Sequence, residues 1–599
     1  MATGGVSKYL FVAAVDFGTT YSGYAFAATA DLKKTNDNGP VPIKTNVWNA
    51  GGRELLSSKA PTALLLKPDK TFQSFGYKAE NDYSYLVSEE EDDEGRSYKD
   101  YYYFHRFKMV LHDNANLRKT TLVSDVTGKK SLPAIEVFAH AIRFLTGDLF
   151  DTINNQIGGE LKKADIQYVL TVPAIWDDKA KQFMREAARL GGIEGEQLMI
   201  ALEPEAASIQ CQHIPMGKDG GEATYMVVDL GGGTADITVH QRNCLGGRSE
   251  LKELHQATGG AYGGKSVDDA FEHFLCDIVG KTNLDKLKDE SMEDYIDICR
   301  QFEGKKRSFA AASKSNEEER VEGTKTKKEK KESFSVPVVL ESLVKTDKSI
   351  EGMDNAVKQS PYAQQISFAR HKLQISEAAF TKLFQPAIDG IIKHMENIFY
   401  NSKFQHVDTI VMVGGFSECK LVQDYIQNRF TLKRIIIPDD PGLVVLKGAV
   451  LFGYNPGTIG CRVARHTYGV QSWPTYNDYF KREKRVVVEG VARCKDVFLI
   501  YVEKGQQLTP GHSESQVFRA LKSNETSLQC AVYISDDVNP KYVDDPGCQL
   551  LGTLVVPLDP SVPGPAEIEE TLVFGETELF VKAKNIKTGE EYRAQFDIL

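Results

Sequence analysis

Two apolar segments of this chain are each followed by an aspartate and a glycine-containing loop. The first segment is Leu10 to Val15, which precedes Asp16, and the second is Tyr225 to Val228, which precedes Asp229. An uninterrupted apolar run is typical of a strand that is buried on both faces of a sheet. A second strand returns after each loop, over Tyr21 to Ala27 in the first copy. The pattern therefore predicts two similar strand-loop-strand hairpins, about two hundred residues apart in the sequence.

Both loops carry residue types that bind phosphate groups. Gly18 leaves room for an anion beside the backbone, and Thr19 and Thr20 add hydroxyl donors to the backbone N–H groups. The second loop, Gly231 to Thr234, repeats this chemistry and leads to Asp236 on the returning strand. The spacing argues against a Walker loop or a dinucleotide-binding fingerprint, because both need a helix directly after the glycines. We therefore predict a phosphate site with a metal ion facing the aspartates, and the alternative is a pair of tight hairpins without a ligand.

The segment between the hairpins predicts a further strand, a helix and one isolated acid. Tyr168 to Pro173 is apolar enough for a buried strand, and Asp177 or Asp178 can cap the helix that follows. Gly191 and the glycine after it end that helix. Glu203 then lies between two short apolar stretches in the sequence ALEPEAAS. An isolated glutamate is usually a solvated surface group, and the alternative here is a polar group close to the metal ion or its water.

A third glycine-containing loop follows another predicted strand. The segment Thr409 to Val413 is apolar, and Gly414 and Gly415 separate it from an amphipathic helix. Paired glycines near the start of a helix let a flat ligand lie against the backbone. After Asp439 and Asp440, the sequence LKGAVLFG predicts a helix of small residues that can pack closely against another helix. The alternative for the glycine pair is a turn that needs glycine for packing alone.

The C-terminal part of the chain, from about Gly457 to Leu599, has a different pattern. Short segments of alternating character are separated by Gly, Pro and Asn turns, and no long helical period is present. This pattern is typical of a β-sandwich. The predicted strands include Asp496 to Val502, Ser527 to Ile534, Leu550 to Pro557 and Glu578 to Ala583.

Composition limits the class of protein. A chain of 599 residues exceeds one hydrophobic core, so several subdomains are expected. The net charge of −11, from 72 basic and 83 acidic residues, argues against general nucleic-acid binding. No apolar run approaches the roughly 20 residues of a membrane span, and MATGGVSKYL lacks the apolar core of a signal peptide. Nine cysteines without a CxxC pair fit reduced thiols in the cytoplasm, with the nucleus as a second compartment.

The motifs together resemble a known family. Their order along the chain is similar to that in the superfamily of actin, sugar kinases and heat-shock chaperones. The sequences VDFGTTYSG, LTVPAIWDDKAKQ, LEPEAAS, DLGGGTAD, GGAYGGKSVDDAF and EGKKRSFA resemble the seventy-kilodalton heat-shock chaperones. The sequences FKMVLH and VGGFSE resemble a divergent branch of that heat shock protein 70 family, heat shock 70 kDa protein 12 (12A/12B-like). The resemblance covers most of residues 8 to 456.

The resemblance implies an α/β fold in several parts. It implies a two-lobed actin-like ATPase of duplicated ribonuclease H-like domains over residues 8–456, followed by the C-terminal β-sandwich. Lobe I would cover about 8–224 and lobe II about 225–456, with a charged insertion at about 312–333. The β-sandwich at 457–599 would correspond to the family's substrate-binding domain, without the helical lid that follows it in the family.

The resemblance also implies roles around the phosphates. Asp16 and Asp229 would hold a hydrated magnesium ion through water. Lys108 would position the attacking water, and Glu203 and Asp236 would complete that polar shell. The reaction would be in-line attack of water on the terminal phosphate of ATP, which yields ADP and phosphate without a covalent intermediate.

Further residues would contact the nucleotide. Thr234 would take part in catalysis and in phosphate binding, and Glu303, Lys306 and Arg307 would face the ribose and adenine. The complete nucleotide-binding set implied by the resemblance is Asp16, Gly18, Thr19, Thr20, Tyr21, Gly231, Gly232, Gly233, Thr234, Gly263, Gly264, Glu303, Lys306, Arg307, Gly414, Gly415, Phe416 and Asp439.

Two departures from the family bear on function. Where the chaperones follow the glycine pair with Ser, Thr and an Arg that stacks on adenine, this chain has Phe416, Ser417 and Glu418. Loss of that cation forfeits a stacking contact of about 0.5 to 2 kcal/mol, and Phe416 either supplies an aromatic face instead or packs inward. The family's acidic, leucine-rich linker, which couples its domains, is replaced by NPGTIGCRVARH.

These expectations leave two functional classes. The first is an ATP-binding, chaperone-like protein of the stress response, with slow Mg²⁺-dependent ATPase activity. Its partners would be extended apolar peptides or client proteins and co-chaperones, with no nucleic acid and no membrane span. The second is an ATP-regulated scaffold or signalling adaptor with little or no turnover. The acidic shell favours turnover, whereas the altered linker and Glu418 favour the scaffold, and a sugar kinase would leave the C-terminal strands without a role.

Overall fold

The computed structural model describes residues 8–34, 42–49, 56–89, 95–214, 222–245, 248–309, 331–522, 525–559, 565–575 and 579–595. The charged insertion predicted over residues 312–333 lies outside them, except for its last three residues, which begin a strand. The helices, numbered in chain order, are α1 (Thr29–Lys34), α2 (Tyr77–Glu89), α3 (Ala134–Gln156), α4 (Asp178–Leu190), α5 (Glu203–Gln210), α6 (Gly264–Val279), α7 (Lys281–Glu290), α8 (Met292–Ser308), α9 (Val338–Thr346), α10 (Met353–Gln359), α11 (Glu377–Lys382), α12 (Gln385–Tyr400), α13 (Lys420–Arg429) and α14 (Pro441–Tyr454).

The strands are numbered in the same way. The strands up to residue 436 are β1 (Phe11–Phe17), β2 (Tyr21–Ala28), β3 (Lys44–Thr45), β4 (Trp48–Asn49), β5 (Leu56–Ser57), β6 (Ala60–Pro61), β7 (Ala63–Leu66), β8 (Phe72–Phe75), β9 (Tyr102–His105), β10 (Leu122–Ser124), β11 (Ser131–Pro133), β12 (Ile166–Val172), β13 (Leu198–Leu202), β14 (Ala223–Leu230), β15 (Ala235–Leu245), β16 (Arg248–Gly260), β17 (Lys331–Ser335), β18 (Ile366–Ala369), β19 (Lys372–Ser376), β20 (Thr409–Val413) and β21 (Arg434–Ile436). The later strands are β22 (Ile459–Val463), β23 (Thr467–Ser472), β24 (Arg485–Val488), β25 (Val491–Cys494), β26 (Val497–Val502), β27 (Gln507–Leu508), β28 (His512–Arg519), β29 (Ser527–Ser535), β30 (Cys548–Pro557), β31 (Glu567–Phe574), β32 (Leu579–Asn585) and β33 (Glu591–Gln595).

The first large sheet has its strands in the order β13, β12, β1, β2 and β3, with β6 also paired to β2. β1 and β2 form an antiparallel hairpin, whereas β12 and β13 run parallel to β1. Side chains of β1 and β12 pack against α3 and α4 in one buried cluster. Helix α4 begins after Asp177, whose side chain accepts a hydrogen bond from Ala180 N at 2.8 Å. Of the two residues predicted as possible caps, Asp177 is the one that caps this helix, and Asp178 is its first residue.

The second large sheet repeats this topology. Its strand order is β21, β20, β14, β15, β16, β22 and β27. β14 and β15 form an antiparallel hairpin, and β20 and β21 run parallel to β14. Each sheet thus contains a hairpin, as the repeated apolar pattern predicts, and two parallel strands beside it that the pattern did not predict.

The first hairpin differs from the prediction at its ends. Leu10 lies before β1 and is 60% exposed, so the apolar run placed the start of the strand one residue too early. Asp16 still belongs to β1, where it pairs with Gly23 of β2. Because Asp16 is held by strand pairing, its position is fixed more firmly than that of a loop residue.

Helices α5 and α14 lie between the two large sheets. Their buried side chains share one hydrophobic cluster with β1 and β12 of the first sheet and with β14 and β20 of the second. A Cβ atom built on Gly448 of α14 would lie 1.7 Å from the carbonyl oxygen of Ala206 in α5, so only glycine fits there. This agrees with the close helix packing predicted for LKGAVLFG. Since Glu203 is the first residue of α5, the packing fixes Glu203 relative to both sheets.

Two four-stranded sheets occupy the C-terminal part of the chain. One contains β26, β23, β29 and β30, and the other contains β28, β31, β32 and β33. Side chains from both sheets share one buried cluster, including Val470 and Val532 from the first sheet and Leu572 and Val581 from the second. The four predicted strands correspond to β26, β29, β30 and β32 within two residues at each described end, and Glu578 lies outside the described residues.

Among the residues that the structure describes, no helix combines the length and the apolar character needed to cross a membrane.

One carboxyl group is buried in the C-terminal cluster. Glu570 on β31 is 2% exposed, and within the described part of the chain its Oε1 has no hydrogen-bond partner. Burial raises the pKa of Glu570 to about 7, because the charged form loses its hydration. The folded protein therefore keeps a proton on Glu570 at pH values where the unfolded chain has released it.

We expect Glu570→Gln to stabilise the C-terminal sheets at alkaline pH. The folded pKa lies above the unfolded value of 4.5, so the stability of the wild type falls as the pH rises from about 4.5 to about 7. Glutamine has no such dependence, so the variant should gain about 2 to 3 kcal/mol at pH 8 and much less at pH 5. Hydrogen-exchange protection of β31 and β32 measures the difference.

The matched control for this prediction is Glu569→Gln, which changes the preceding, half-buried residue of the same strand. It should leave the pH dependence of protection unchanged. Equal protection of the wild type and the Glu570 variant at pH 8 would contradict the prediction.

Candidate functional site

A cavity of about 350 Å³ lies between the two hairpins. Its volume is within the range of small-molecule sites. Both large sheets contribute to its wall, so neither sheet forms it alone. The lining residues are Asp16, Gly18, Thr19, Thr20, Tyr21, Leu56, Ser57, Ser58, Lys59, Lys108, Glu203, Asp229, Gly231, Gly232, Gly233, Thr234, Gly264, Glu303, Lys306, Arg307, Gly414, Gly415, Phe416, Glu418, Cys419, Asp440, Gly442, Leu443 and Val445.

The loops of the two hairpins approach each other so closely that glycine is required. A Cβ atom built on Gly232 would lie 2.1 Å from Thr20 Oγ1, and one built on Gly233 would lie 2.4 Å from Thr19 Oγ1. Both distances are far shorter than a van der Waals contact. The glycines of the second loop therefore make room for the threonine hydroxyls of the first loop, and the two predicted phosphate loops meet in one place.

The start of α6 supports the second loop. Three successive N–H groups, from Gly263 to Lys265, donate to the carbonyl oxygens of Gly231 to Gly233 at 2.7 to 3.2 Å. A Cβ atom on Gly263 would lie 2.6 Å from the carbonyl oxygen of Gly231, so this contact also needs glycine. Gly264 lines the cavity, whereas Gly263 lies behind the loop. These bonds fix the conformation of the loop without using a ligand.

Four of the predicted acids converge at the cavity. Asp16, Asp229 and Asp236 are at most 6% exposed. Asp236 lies behind the wall, where its Oδ1 accepts a hydrogen bond from Ile175 N at 2.9 Å. Burial raises the pKa of Asp229, Asp236 and Glu203, the last to about 7, and neighbouring carboxyl groups raise the pKa of Asp229 and Glu203 further. The site thus crowds negative charge where water is excluded.

Lys108 lies among these acids. It belongs to a short 3₁₀ helix, Phe107–Leu111, and is 2% exposed. Its Nζ donates to Glu203 Oε1 at 3.1 Å and lies 4.9 Å from the centre of the Trp176 ring. An ion pair and an aromatic face both stabilise an ammonium group that has lost its water. The structure therefore brings together Lys108 and Glu203, which are far apart in the sequence.

Asp229 offers an oxygen atom for a cation. Its Oδ2 is buried and has no hydrogen-bond partner among the described residues. A buried carboxylate oxygen without a partner is unfavourable unless a ligand satisfies it. The described residues contain no group of three His, Cys, Asp or Glu side chains that could hold a metal ion. The unpartnered carboxyl oxygen of Asp229 would fit a cation that takes oxygen ligands, as Mg²⁺ does.

Three charged residues of α8 line another part of the cavity and pair largely with one another. Lys306 Nζ lies 2.6 Å from Asp268 Oδ1 and 2.7 Å from Glu303 Oε2. Burial alone would raise the pKa of Glu303, but Lys306 and Arg307 lower it to about 2. The guanidinium group of Arg307 lies 4.5 Å from the centre of the Tyr21 ring. Arg307 and Tyr21 together therefore present a flat cationic and aromatic surface beside the cavity.

The glycine pair forms the wall next to Asp229. Gly414 has a φ of +86°, and a Cβ atom there would lie 2.4 Å from Asp229 Oδ1, so glycine is needed for both reasons. Phe416 is 6% exposed and belongs to the hydrophobic cluster of the second sheet, yet it also lines the cavity. Glu418 is exposed, and its Oε1 lies 2.8 Å from the position of a Cβ atom on Gly442. The carboxylate of Glu418 therefore lies at this wall of the cavity.

Part of the wall was not predicted from the sequence. Asp439 is exposed and does not line the cavity, whereas its neighbour Asp440 does. Lys59 lines the cavity and forms an ion pair with Asp16 at 2.5 Å. No motif surrounds Lys59 in the sequence SSKAPT, so only the contact itself identifies it. The other unpredicted lining residues are Leu56, Ser57, Ser58, Cys419, Gly442, Leu443 and Val445.

The segment that replaces the family's linker contacts the elements that carry these acids. It forms β22, which runs parallel to β16 at the edge of the second sheet. Arg462 makes two hydrogen bonds with Glu205 of α5, at 2.6 and 2.8 Å, and both side chains are largely buried. Arg465 donates to the carbonyl oxygens of Ile175 and Trp176. Two arginines of this segment therefore bind beside Glu203 and beside the N–H group that holds Asp236.

Two sheets of the same topology, with an acidic glycine loop on each side of one cavity, define an actin-like α/β protein. A family model described as Hsp70 protein matches residues 94–365. The chain is 33% identical to "Heat shock 70 kDa protein 12A" of Mus musculus and 32% identical to "Heat shock 70 kDa protein 12B" of Homo sapiens, in each case over 99% of this chain and 92% of the relative. It is 22% identical to "Chaperone protein DnaK" of Thermotoga petrophila, over 76% of this chain and 61% of that relative. The chain belongs to the heat shock protein 70 family.

We expect Asp229→Asn to stabilise the protein when no ligand is bound. The substitution removes one of four crowded carboxyl groups, and its amide keeps the size of the side chain. The unfolding free energy should rise by about 0.5 to 2 kcal/mol, the usual size of a single stabilising substitution. Thermal unfolding in the presence of EDTA and without nucleotide measures the change.

Asp354→Asn is the matched control, since Asp354 is exposed on α10 and lies outside the cavity lining. It should leave the unfolding temperature unchanged. A lower unfolding temperature for the Asp229 variant would show that its carboxyl group is stabilising in the free protein.

Proposed function

We propose that this protein binds ATP with Mg²⁺ in the cavity between the two sheets and hydrolyses it slowly to ADP and phosphate. The observation that carries the proposal is the meeting of two glycine loops beside three buried aspartates and the largely buried Glu203. The close contact of Gly232 with Thr20 supports a phosphate cradle built from both loops. The free Oδ2 of Asp229 supports a cation next to it.

The residues of the chain suit distinct steps of this reaction. A bound Mg²⁺ would neutralise charge on the phosphates, held through water by Asp16 and Asp229. Lys108 would orient the attacking water for in-line attack on the terminal phosphorus. As the bond to ADP breaks, Glu203 would accept the proton of that water. Its pKa of about 7 suits a group that takes up a proton near neutral pH.

The base and ribose would occupy the wall formed by α8 and the glycine pair. Arg307, stacked on Tyr21, supplies a flat cation that can replace the stacking arginine missing after the glycines. Phe416 adds an apolar surface on the same cavity. Glu303, Lys306, Gly264 and Gly415 complete this part of the proposed site.

We further propose that the chain has two functional parts. Residues 8–456 would form the nucleotide-binding domain, with lobes at about 8–224 and 225–456. Residues 457–599 would form a β-sandwich that holds extended apolar peptides or client proteins, and the buried cluster shared by the two C-terminal sheets supports this architecture. The cytoplasm is the proposed compartment, and the described free cysteines, none in a disulfide, agree with it.

The contacts of β22 favour a coupled machine over a passive scaffold. Arg462 binds Glu205, which is two residues from Glu203 on the same helical turn. Arg465 binds the carbonyl group of Ile175, whose N–H group binds Asp236. A movement of the C-terminal part would therefore reach two acids of the proposed site through direct contacts. A regulatory scaffold with little turnover remains the second candidate, favoured by the carboxylate of Glu418 at the proposed base wall.

We expect the purified protein to bind Mg²⁺-ATP and to hydrolyse it slowly. Asp229→Asn should lower single-turnover hydrolysis by about 100-fold or more, because removal of a group that stabilises the transition state typically has an effect of this size. Calorimetry measures binding, and quenched single-turnover assays measure hydrolysis. Asp354→Asn should behave as the wild type. Unchanged turnover in the Asp229 variant would show that the metal site is wrongly assigned.

We also expect an extended apolar peptide to change the rate of hydrolysis. Single-turnover hydrolysis is measured with and without the peptide, in the wild type and in Arg465→Ala. The wild-type rate should change severalfold, and the variant should lose most of that change while it still binds ATP. If peptide binds but leaves the wild-type rate unchanged, the scaffold is the better description.

A further inference from the structure

Lys59 is a charged residue of the cavity that no motif and no role implied by the family explains. Its Nζ lies 2.5 Å from Asp16 Oδ2, and its side chain is 18% exposed. Lys59 lies in the turn between β5 and β6, 43 residues after Asp16 in the sequence. The ammonium group therefore stands inside the proposed phosphate site and is distinct from that of Lys108.

The turn that carries Lys59 is attached to the first phosphate loop. Thr62, just after β6, donates its hydroxyl to the carbonyl oxygen of Gly18 at 2.7 Å and its N–H to Thr20 O at 2.9 Å. A Cβ atom on Gly23 would lie 3.0 Å from Lys59 Cγ, so a small residue at position 23 lets the lysine stem pass over β2. Lys59 is thus positioned by the hairpin whose phosphate loop it faces.

The ion pair between Lys59 and Asp16 makes the surroundings of Asp16 different from those of Asp229, the other aspartate proposed to face the metal ion. Asp16 has both oxygens engaged, since Oδ1 accepts from Thr171 Oγ1 at 3.0 Å and Oδ2 pairs with Lys59. Burial would raise the pKa of Asp16, but Lys59 and Lys108 lower it. Asp229 keeps a buried oxygen without a partner in the described part of the chain. Among the described residues, Asp16 thus pairs directly with an ammonium group, whereas Oδ2 of Asp229 has no such partner.

We propose that Lys59 is a built-in cation of the phosphate site. Its ammonium group lets nucleotide phosphates bind without a divalent metal ion, and it lowers the affinity of the site for that ion. The inference rests on the proposed nucleotide site. The ammonium group offers a positive charge to the phosphates that remains when Mg²⁺ is absent. While it occupies Asp16 Oδ2, it also withholds that oxygen from the water shell of a metal ion.

The first test compares ADP binding in EDTA and in Mg²⁺ by calorimetry. The wild type should bind ADP in EDTA, and Lys59→Met should weaken that binding by about tenfold or more, because a nearby charge interacts strongly with phosphate in a partly buried site. The loss in Mg²⁺ should be smaller, since the metal ion can then use Asp16. Lys59→Arg should restore binding in EDTA.

Lys44→Met is the matched control. Lys44 is exposed on β3 of the same sheet, and its Nζ donates to Gln156 Oε1 at 2.9 Å, away from the cavity lining. Its loss should change ADP binding in neither condition. Equal weakening by the Lys44 and Lys59 substitutions would reduce the effect to general surface charge and overturn the inference.

The second test measures an increase in affinity for a metal ion, which a misfolded variant would not show. Binding of Mn²⁺ to the nucleotide-free protein is followed by electron paramagnetic resonance of the free ion. Lys59→Met should bind Mn²⁺ severalfold more tightly than the wild type, because Asp16 Oδ2 becomes available. Unchanged or weaker Mn²⁺ binding would overturn the proposed competition between the ammonium group and the metal ion.

The outcomes separate this inference from the proposed function. If the wild type binds ADP in Mg²⁺ but not in EDTA, the built-in cation is refuted and the nucleotide site stands. If the wild type binds no purine nucleotide in either condition, the nucleotide site itself is refuted, and the role of Lys59 falls with it.

Discussion

The central constraint on this protein is the crowding of four carboxyl groups around one cavity, three of them on buried residues and the fourth, that of Glu203, largely buried. Charged groups that lose water and crowd together are destabilising unless cations or donors compensate them. Lys108 compensates Glu203, Lys59 compensates Asp16, and backbone N–H groups support Asp236. Asp229 keeps one oxygen without a partner among the described residues. An arrangement of this kind lowers the stability of the protein when no ligand is bound.

The rest of the fold holds those groups in place by backbone contacts that only glycine allows. The two hairpin loops touch at Gly232 and Gly233, and the helices between the sheets touch at Gly448. Such contacts leave little freedom for the loops to separate without a movement of the sheets themselves. Strand β22 extends the second sheet and binds α5 through Arg462, so the C-terminal sheets are joined to the same framework. A ligand in the cavity and a molecule bound to the C-terminal sheets would therefore act on the same contacts.

The sequence predicted the repeated hairpins, a helix cap at Asp177 or Asp178, the close-packing helix around Gly448 and four strands of the C-terminal part. These features follow from periodicity and from residue types with narrow backbone preferences. Most of the predicted site residues also line one cavity, because the resemblance carried their order from a family with the same fold. The prediction was wrong about the start of β1, and Asp440 lines the cavity whereas Asp439 does not, so a nucleotide contact of Asp439 stays a prediction. The apolar character of a segment does not determine the exact residue at which its strand begins.

By itself, the sequence determined the strands of the two hairpins, several of the helices and strands around them, and which loops have the chemistry to bind phosphate. Those properties are local, since they depend on neighbouring residues and on the conformations that each residue type permits. Only the tertiary structure decided that Lys59 reaches Asp16, that Lys306 pairs with Asp268, and that Arg462 binds Glu205. The physical reason is that an ion pair depends on distance in space, and a long charged side chain on a turn finds its partner only when the sheets have packed.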